Sequence, residues 1–376
     1  MEKWEAVQGI YVHIPFCLQK CLYCDFASFP HQEEAVMEQY TEHLCQEILN
    51  YAGTLSIAPQ ATIYFGGGTP SVLPLKCILK IVQALKDKGL WQQPAEATIE
   101  ANPGTLNAEK LAVLRAAGFD RISMGVQSLQ DKELKAMGRI HNAQQALAAL
   151  AEAKQAGFTR VSGDLIYGYP GQTQNSVQAS VEGLVGAGLT HISVYGLTVE
   201  SGTPLVKLVE AKKMVLPDED TTVDMYEAVT AYLPQHGLQR YEISNYAVQG
   251  QESLHNLVYW HYLPYLGFGL GATGFDGLNR YTNSSSLQAY LQGAVASKEV
   301  LTAATRLSEC IFMGLRLSEG IAKEEIAERF HINFQEKYGH IIEECMEQNL
   351  MWQRGKRLGL TAAGMEVGNI VFEKFL

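Results

Sequence analysis

Positive charge is scarce in this chain: 29 Lys and Arg stand against 40 Asp and Glu, a formal net charge of −11. A protein that displaces counterions from nucleic-acid phosphates needs the opposite balance, so no nucleic-acid partner is expected. Long apolar runs are missing too. The longest stretch without Asp, Glu, Lys or Arg, Ser253 to Phe275, is broken by His255, Asn256, His261, Pro264 and four glycines. It cannot form the roughly 20-residue apolar helix that crosses a bilayer, so no integral membrane span is expected. Met1 to Ile10 carries charge and lacks the apolar core of a secretory signal, which points to a cytoplasmic protein. Low-complexity tracts and solenoid-period repeats are also lacking. Seven cysteines is an odd number, and Cys45, Cys77, Cys310 and Cys345 are scattered, so a disulfide framework is not indicated.

What is present is a 376-residue chain, 47% hydrophobic and 18% charged, an ordinary globular composition with room for two or three domains of roughly 150 residues each. From Gly9 to about Leu197, short β-branched runs alternate with helical stretches, the rhythm of consecutive βα units. Strands are expected at Ile10 to Ile14, Thr62 to Phe65, Ala97 to Ala101, Arg121 to Val126, Arg160 to Ile166 and Ile192 to Gly196. Helices between them are expected near Glu33 to Tyr51, Pro74 to Lys88, Asn107 to Ala117, Ala143 to Ala156 and Asn175 to Ala187. Gly89, Gly118, Gly157 and Gly188 suit left-handed helix ends. Periodicity leaves an open doubly wound sheet and a partial barrel equally allowed. In both, a ligand site lies at the carboxyl ends of the strands.

Beyond Glu200 a helix at Asp218 to Pro234 and a strand at Arg240 to Tyr246 lead into the aromatic, glycine-rich Leu254 to Phe275. Helices at Thr305 to Leu315, Lys323 to Phe330 and Phe334 to Gln348, a β-like Leu350 to Leu360 and a last helix form a winged-helix-like pattern. Acidic residues there, such as Glu324, Glu325, Glu343 and Glu344, favour packing or partner docking over DNA binding.

Chemistry concentrates after the first strand, at Cys17-x3-Cys21-x2-Cys24. Three close thiolates hold a 4Fe-4S cube and leave one iron open to another molecule. A zinc site, for which His13 and His31 stand nearby, and a Cys21/Cys24 redox pair are alternatives. The second strand ends in Gly66-Gly67-Gly68-Thr69-Pro70, where peptide groups can approach a small polar ligand closely; a plain tight turn is the alternative. Glu100, Gln127, Arg139 and Asp164 lie at or beyond later strands. Burial there demands partners or a function, and a Glu100 to Arg139 ion pair is the plainer reading.

The cysteine triplet, set in Tyr11-Val-His-Ile-Pro-Phe-Cys17-Leu-Gln-Lys-Cys21-Leu-Tyr23-Cys24-Asp-Phe26, resembles the cluster motif of the radical S-adenosylmethionine (radical SAM) superfamily. That resemblance implies an α/β fold, a partial (β/α)6 TIM-like barrel with a C-terminal, mainly helical, winged-helix-like domain. It also implies a 4Fe-4S cluster on Cys17, Cys21 and Cys24. By their local motifs, Tyr11, Tyr23, Gly67, Gly68, Thr69, Glu100, Gln127, Arg139 and Asp164 match positions that contact S-adenosylmethionine. The stretch from Tyr11 to about Gly202 resembles the oxygen-independent coproporphyrinogen III dehydrogenase group, and His255-Asn256-Leu-Val-Tyr259-Trp260 resembles its haem-chaperone branch. Dehydrogenases of the group carry a further cysteine where Phe26 stands and an extension before the cluster strand, where this sequence has ten residues before Tyr11. Both departures favour a haem chaperone over oxidative decarboxylation of coproporphyrinogen III.

The expected division is therefore a barrel over residues 1–235, a haem-binding extension over 236–300 with His255 contributing to haem binding, and the helical domain over 301–376. The implied ligands are a 4Fe-4S cluster, S-adenosylmethionine and haem. The implied partners are a haem-acceptor protein and an electron donor, and a homodimer is compatible with the same reading.

Overall fold

The computed structural model describes residues 6–53, 55–294 and 296–376; residues 1–5, part of the N-terminal reading above, lie outside them. Six strands, β1 (Ala6–Ile14), β2 (Ser56–Gly67), β3 (Ala97–Ala101), β4 (Arg121–Gln127), β5 (Arg160–Tyr167) and β6 (His191–Gly196), run parallel and in chain order. The helices that return the chain between them are α1 (Glu34–Asn50), α2 (Leu75–Asp87), α3 (Ala108–Ala117), the short α4 (Asp131–Ala136), α5 (Ala143–Gln155) and α6 (Gln174–Gly186). The elements expected here are all present with bounds within a few residues, except that β2 starts six residues before the expected Thr62; α4 is unexpected, its turn and a half being too short to show a period.

Local chemistry accounts for the ends. Asn107 caps α3, and Asn142 with Gln145 closes a capping box on α5, supplying acceptors to otherwise orphaned N–H groups. Gly89, Gly118, Gly157 and Gly188 all have positive φ after a helix. Helix α2 buries Cys77, Ile78, Ile81, Val82 and Leu85, one stripe of a 3.6-residue period, against the sheet. Successive strand residues face opposite ways. Ile10, Val12, Ile63, Phe65, Ile99, Ile122, Met124, Leu165 and Ile192 join the helices in one large apolar core. The alternate positions, Tyr11, Tyr64, Glu100, Ser123, Asp164 and Ser193, face the barrel interior and contact one another. Polar residues in these strands thus line a lumen instead of interrupting a core.

After α7 (Pro204–Glu210) and α8 (Glu219–Gln235), the sheet continues on both flanks. The expected strand Arg240 to Tyr246 is instead two short ones, β7 (Gln239–Arg240) and β8 (Asn245–Ala247), with β8 antiparallel to β6. The break has a cause in the sequence: the Glu242 carboxylate accepts from Ser244 N at 3.0 Å and turns the chain. Helix α9 (Leu254–Trp260) precedes β9 (Tyr265–Phe268), which pairs parallel with β1, and β10 (Thr273–Phe275), β11 (Asn279–Thr282) and β12 (Ser297–Val300) extend that edge antiparallel. The strand order is β12-β11-β10-β9-β1-β2-β3-β4-β5-β6-β8-β7, an unclosed sheet. The fold is α/β, a partial barrel.

Following the short α10 (Leu287–Leu291), helices α11 (Ala303–Leu315), α12 (Lys323–Phe330) and α13 (Phe334–Glu347) pack around a separate core with a three-stranded sheet. Its strands are β13 (Ile321–Ala322), β14 (Met351–Arg354) and β15 (Arg357–Leu360), followed by α14 (Ala362–Glu366) and α15 (Gly368–Glu373). This C-terminal, mainly helical domain meets the barrel's open side: Ser318 N donates to Tyr241 O at 2.9 Å, and Glu242 forms an antiparallel bridge with Leu317. Among the described residues no helix is long and apolar enough to cross a membrane.

Candidate functional site

The cysteine loop leaves the carboxyl end of β1. Phe16–Cys17 pairs in parallel with Phe29–Pro30, holding both ends of the loop. Its middle is pinned from outside: Leu22 N donates to Met137 O at 3.1 Å, Gln19 Nε2 to Gly138 O at 2.8 Å, and Leu205 N to Leu22 O at 2.9 Å. Cys17 is buried, Cys21 and Cys24 are half-buried, and all three thiols are free. Burial pushes the Cys17 and Cys24 thiols above their ordinary value, so they stay protonated until a metal displaces the proton. Among the described residues no group of three or more His, Cys, Asp or Glu is already drawn together to hold a metal ion.

The donors nevertheless fit a cluster. Thr69 Oγ1 donates to Cys17 Sγ at 3.5 Å, and Arg139 Nη1 to Cys21 Sγ at 3.2 Å, contacts suited to sulfur that carries negative charge. Asn102 joins the two: its Nδ2 donates to Thr69 Oγ1 at 2.9 Å and its Oδ1 accepts from Arg139 Nη2 at 2.6 Å. A continuous chain of side chains therefore links Cys17 to Cys21 across the strand ends. Gly68 makes room for it, since a Cβ there would stand 2.7 Å from Phe16 O and 3.1 Å from Cys17 Sγ.

Beneath this lies the lumen. Gly67, at φ +112°, donates its N–H to Glu100 Oε2 at 3.1 Å, and a Cβ on it would fall 2.5 Å from the His13 ring. Tyr64 OH donates to Glu100 Oε1 at 2.7 Å. Burial raises the Glu100 pKa to about 7, against the lowering effect of these donors. Tyr11 stacks on Tyr64 and donates to His13 Nδ1 at 3.0 Å, the tautomer fixed by His13 Nε2 donating to Ala27 O. Asp164 accepts from Ser123 Oγ at 3.2 Å, and burial raises its pKa too. Gln127 sits past an irregularity in β4 at φ +69°, unusual for a side chain. Tyr23 packs edge-on against Tyr169. Glu100 and Arg139 do not pair: Arg139 also donates to Gly125 O.

His255 lies apart from the cysteines. It is buried at the lower end of the lumen, its Nδ1 2.7 Å from Thr62 Oγ1 and its Nε2 2.8 Å from Tyr259 OH, and it stacks on Tyr64. Burial lowers its pKa to about 3, so the ring is neutral. Glu96 holds the start of this helix. Its carboxylate accepts from Leu254 N and His255 N, both at 3.1 Å, and from Arg160 Nη1 at 2.9 Å, with Arg121 Nε 3.8 Å away. On the far side of α9 a cavity of about 300 Å³ is lined by Tyr259, Trp260, Tyr262, Tyr265, Phe275 and Met313, with the Arg280–Glu309 pair at its polar side. That volume is at the lower end of small-molecule sites, roughly 300–1,000 Å³.

A model described as the radical SAM superfamily matches residues 11–184, and one described as the HemN C-terminal domain matches residues 301–367. The chain is 37% identical over 370 residues to a haem chaperone HemW of Lactococcus lactis, covering 97% of this chain and 96% of that protein. It is 34% identical over 381 residues to the HemW of Bacillus subtilis, covering 98% and 99%. The chain belongs to the HemW family of radical SAM proteins. Coproporphyrinogen III oxidase (HemN) of Escherichia coli, described as a radical SAM enzyme, shares the fold, with a TM-score of 0.85 and 23% identity over 100% of this chain and 91% of that one. Family membership assigns the cysteine loop and lumen to the part that radical SAM proteins share, and the α9 region and its cavity lie outside the residues that the superfamily model matches.

Proposed function

We propose that this protein is a haem chaperone that binds a 4Fe-4S cluster, S-adenosylmethionine and haem, and passes haem to an acceptor protein in the cytoplasm. The observation that carries the reading is whole-length similarity to proteins named haem chaperones, which extends through the barrel, the α9 region and the C-terminal domain alike. Cys17, Cys21 and Cys24 would hold the cluster, and Arg139 and Thr69 would stabilise the thiolate charge. Tyr11, Tyr23, Gly67, Gly68, Thr69, Glu100, Gln127, Arg139 and Asp164, in the lumen and at the strand ends over it, would contact S-adenosylmethionine. A bound and reduced cluster, supplied by an electron donor, would provide the electron for cleaving its sulfonium. The chain's own part is to hold the ligand by backbone and carboxylate contacts and to limit water.

The aromatic cavity beside α9 supports the haem assignment, because a macrocycle needs flat apolar walls. His255 contributes to haem binding through Tyr259, whose hydroxyl it holds and whose ring lines that cavity. The test is anaerobic haem titration. His255→Ala and Tyr259→Phe should each weaken haem binding and shift the absorption spectrum; unchanged retention and spectrum in both defeat that role. Incubating the reconstituted protein with coproporphyrinogen III separates the enzymatic alternative, which predicts release of CO2.

A further inference from the structure

Where the C-terminal domain closes the barrel's open side, four buried polar atoms have no hydrogen-bond partner among the described residues: Glu242 Oε2, Asn245 Oδ1, Trp260 Nε1 and Arg316 Nε. They belong to one neighbourhood. Asn245 Nδ2 donates to Glu242 Oε1, Glu242 is bridged to Leu317, and the Arg316 guanidinium lies 4.5 Å over the Trp260 ring. Glu242 and Tyr195 are the charged and polar groups whose fields Arg316 feels most. Glu242 is 1% exposed and Asn245 2% exposed, so bulk water does not satisfy them.

Arg316 differs from the other arginines of this seam. Arg280 pairs with Glu299 and Glu309, and Arg240 donates to Tyr226 OH and Ile243 O. Among the described residues the buried Nε of the half-buried Arg316 has no hydrogen-bond partner, although Glu242 is the carboxylate whose field it feels most. A guanidinium offers five donors in a planar fork suited to carboxylate, and leaving its buried Nε–H unpaired beside an unpaired indole N–H is costly unless a ligand arrives. The space is open to one. Tyr195 stands among Asp164, Ser193, Glu242 and Glu100, yet 41% of its surface is accessible, so the lumen reaches this wall. Burial pushes the Glu242 carboxyl above its ordinary range, against the lowering effect of the Arg316 charge.

We propose that Arg316 and Trp260 form a carboxylate-binding subsite for a propionate of the tetrapyrrole that the protein carries. The inference rests on the haem reading above and deepens it. Of the ligands proposed above, two carry a carboxylate, haem through its propionates and S-adenosylmethionine. The porphyrin is favoured because Trp260 is shared: its side chain walls the aromatic cavity and also carries the Arg316 guanidinium over its ring, so the cavity and the cation adjoin through one side chain.

The experiment is an anaerobic absorbance titration of the full-length, cluster-reconstituted protein with haem and with haem dimethyl ester, whose propionates carry no charge. Parent, Arg316→Gln and Arg316→Lys are compared, with S-adenosylmethionine binding measured in parallel by equilibrium dialysis. Haem affinity should fall about tenfold or more in Arg316→Gln and less in Arg316→Lys. The ester should bind the parent as weakly as haem binds Arg316→Gln, and the variant should not distinguish the two. Affinity for S-adenosylmethionine should not change. Equal binding of haem and ester by the parent overturns the subsite while leaving the chaperone reading intact, and needs no variant. A loss confined to S-adenosylmethionine, or an equal loss for haem and ester, also overturns it. Failure of the parent to bind either porphyrin overturns both.

Discussion

Glu96→Gln is the most informative change outside the cysteine loop, because one fully buried carboxylate joins three strands' worth of structure to α9. The substitution keeps size and shape but removes the charge that faces Arg160 at 2.9 Å and Arg121 at 3.8 Å, side chains only 11% and 3% exposed. Breaking a buried ion pair by removing one partner costs about 3–5 kcal/mol, since the other charge stays in a poorly solvated place. The two backbone donors of Leu254 and His255 also lose a charged acceptor. For 376 residues and about 2.1 cal/mol/K of unfolding entropy per residue, the chain's unfolding entropy is about 0.8 kcal/mol/K. The melting temperature should then fall by about 4–6 °C if the chain unfolds as one unit. Thermal unfolding followed by circular dichroism measures it, with Arg160→Gln and the double variant completing a cycle. The double variant should be more stable than the sum of the single losses implies. A Glu96→Gln protein that melts within 1 °C of the parent, about the scatter of the assay, or strictly additive losses, would refute the reasoning.

Glu100 gives a pH dependence. Burial lifts its pKa to about 7, whereas an unfolded glutamate titrates near 4.3. The native state therefore keeps a proton that the unfolded chain releases, and this residue's contribution turns increasingly unfavourable as pH rises from about 4.5 to about 7. In Glu100→Gln that slope should be reduced, by up to about 3 kcal/mol across the window; urea unfolding at several pH values checks it, and an unchanged slope contradicts it. Gly68→Ala should force Phe16 and Cys17 away from the loop, costing about 1–3 kcal/mol and reducing iron uptake on anaerobic reconstitution. Parental iron content and stability would contradict the close packing at Gly68.

The barrel was legible because its strands carry two codes at once. Residues such as Ile10, Val12, Ile63 and Phe65 mark the helix-facing side, and positive-φ glycines such as Gly118 and Gly157 mark helix ends. The cysteine spacing located the loop directly. Asn102 escaped notice although it stands two residues from Glu100, because its role depends on Thr69 and Arg139, which meet it only in space. Glu96 was invisible for the same reason: its partners lie 64, 158 and 159 residues away. The parallel pairing of β9 with β1 was hidden in a segment whose aromatics and glycines obscure strand alternation. At Arg240 to Tyr246 a single strand was expected, and the bond that the Ser244 backbone N–H donates to the Glu242 side chain broke it.

The claim on which the rest depends is that a cluster-bearing member of this family binds haem without transforming a porphyrinogen. It is tested most directly by reconstituting the protein anaerobically with iron and sulfide, then offering haem and coproporphyrinogen III separately, each with S-adenosylmethionine. The account predicts iron and sulfide retained on the cysteine loop, one tightly held haem per chain and no CO2. A protein that takes up zinc or no metal, or one that releases CO2 in proportion to coproporphyrinogen III and leaves haem free, would contradict it.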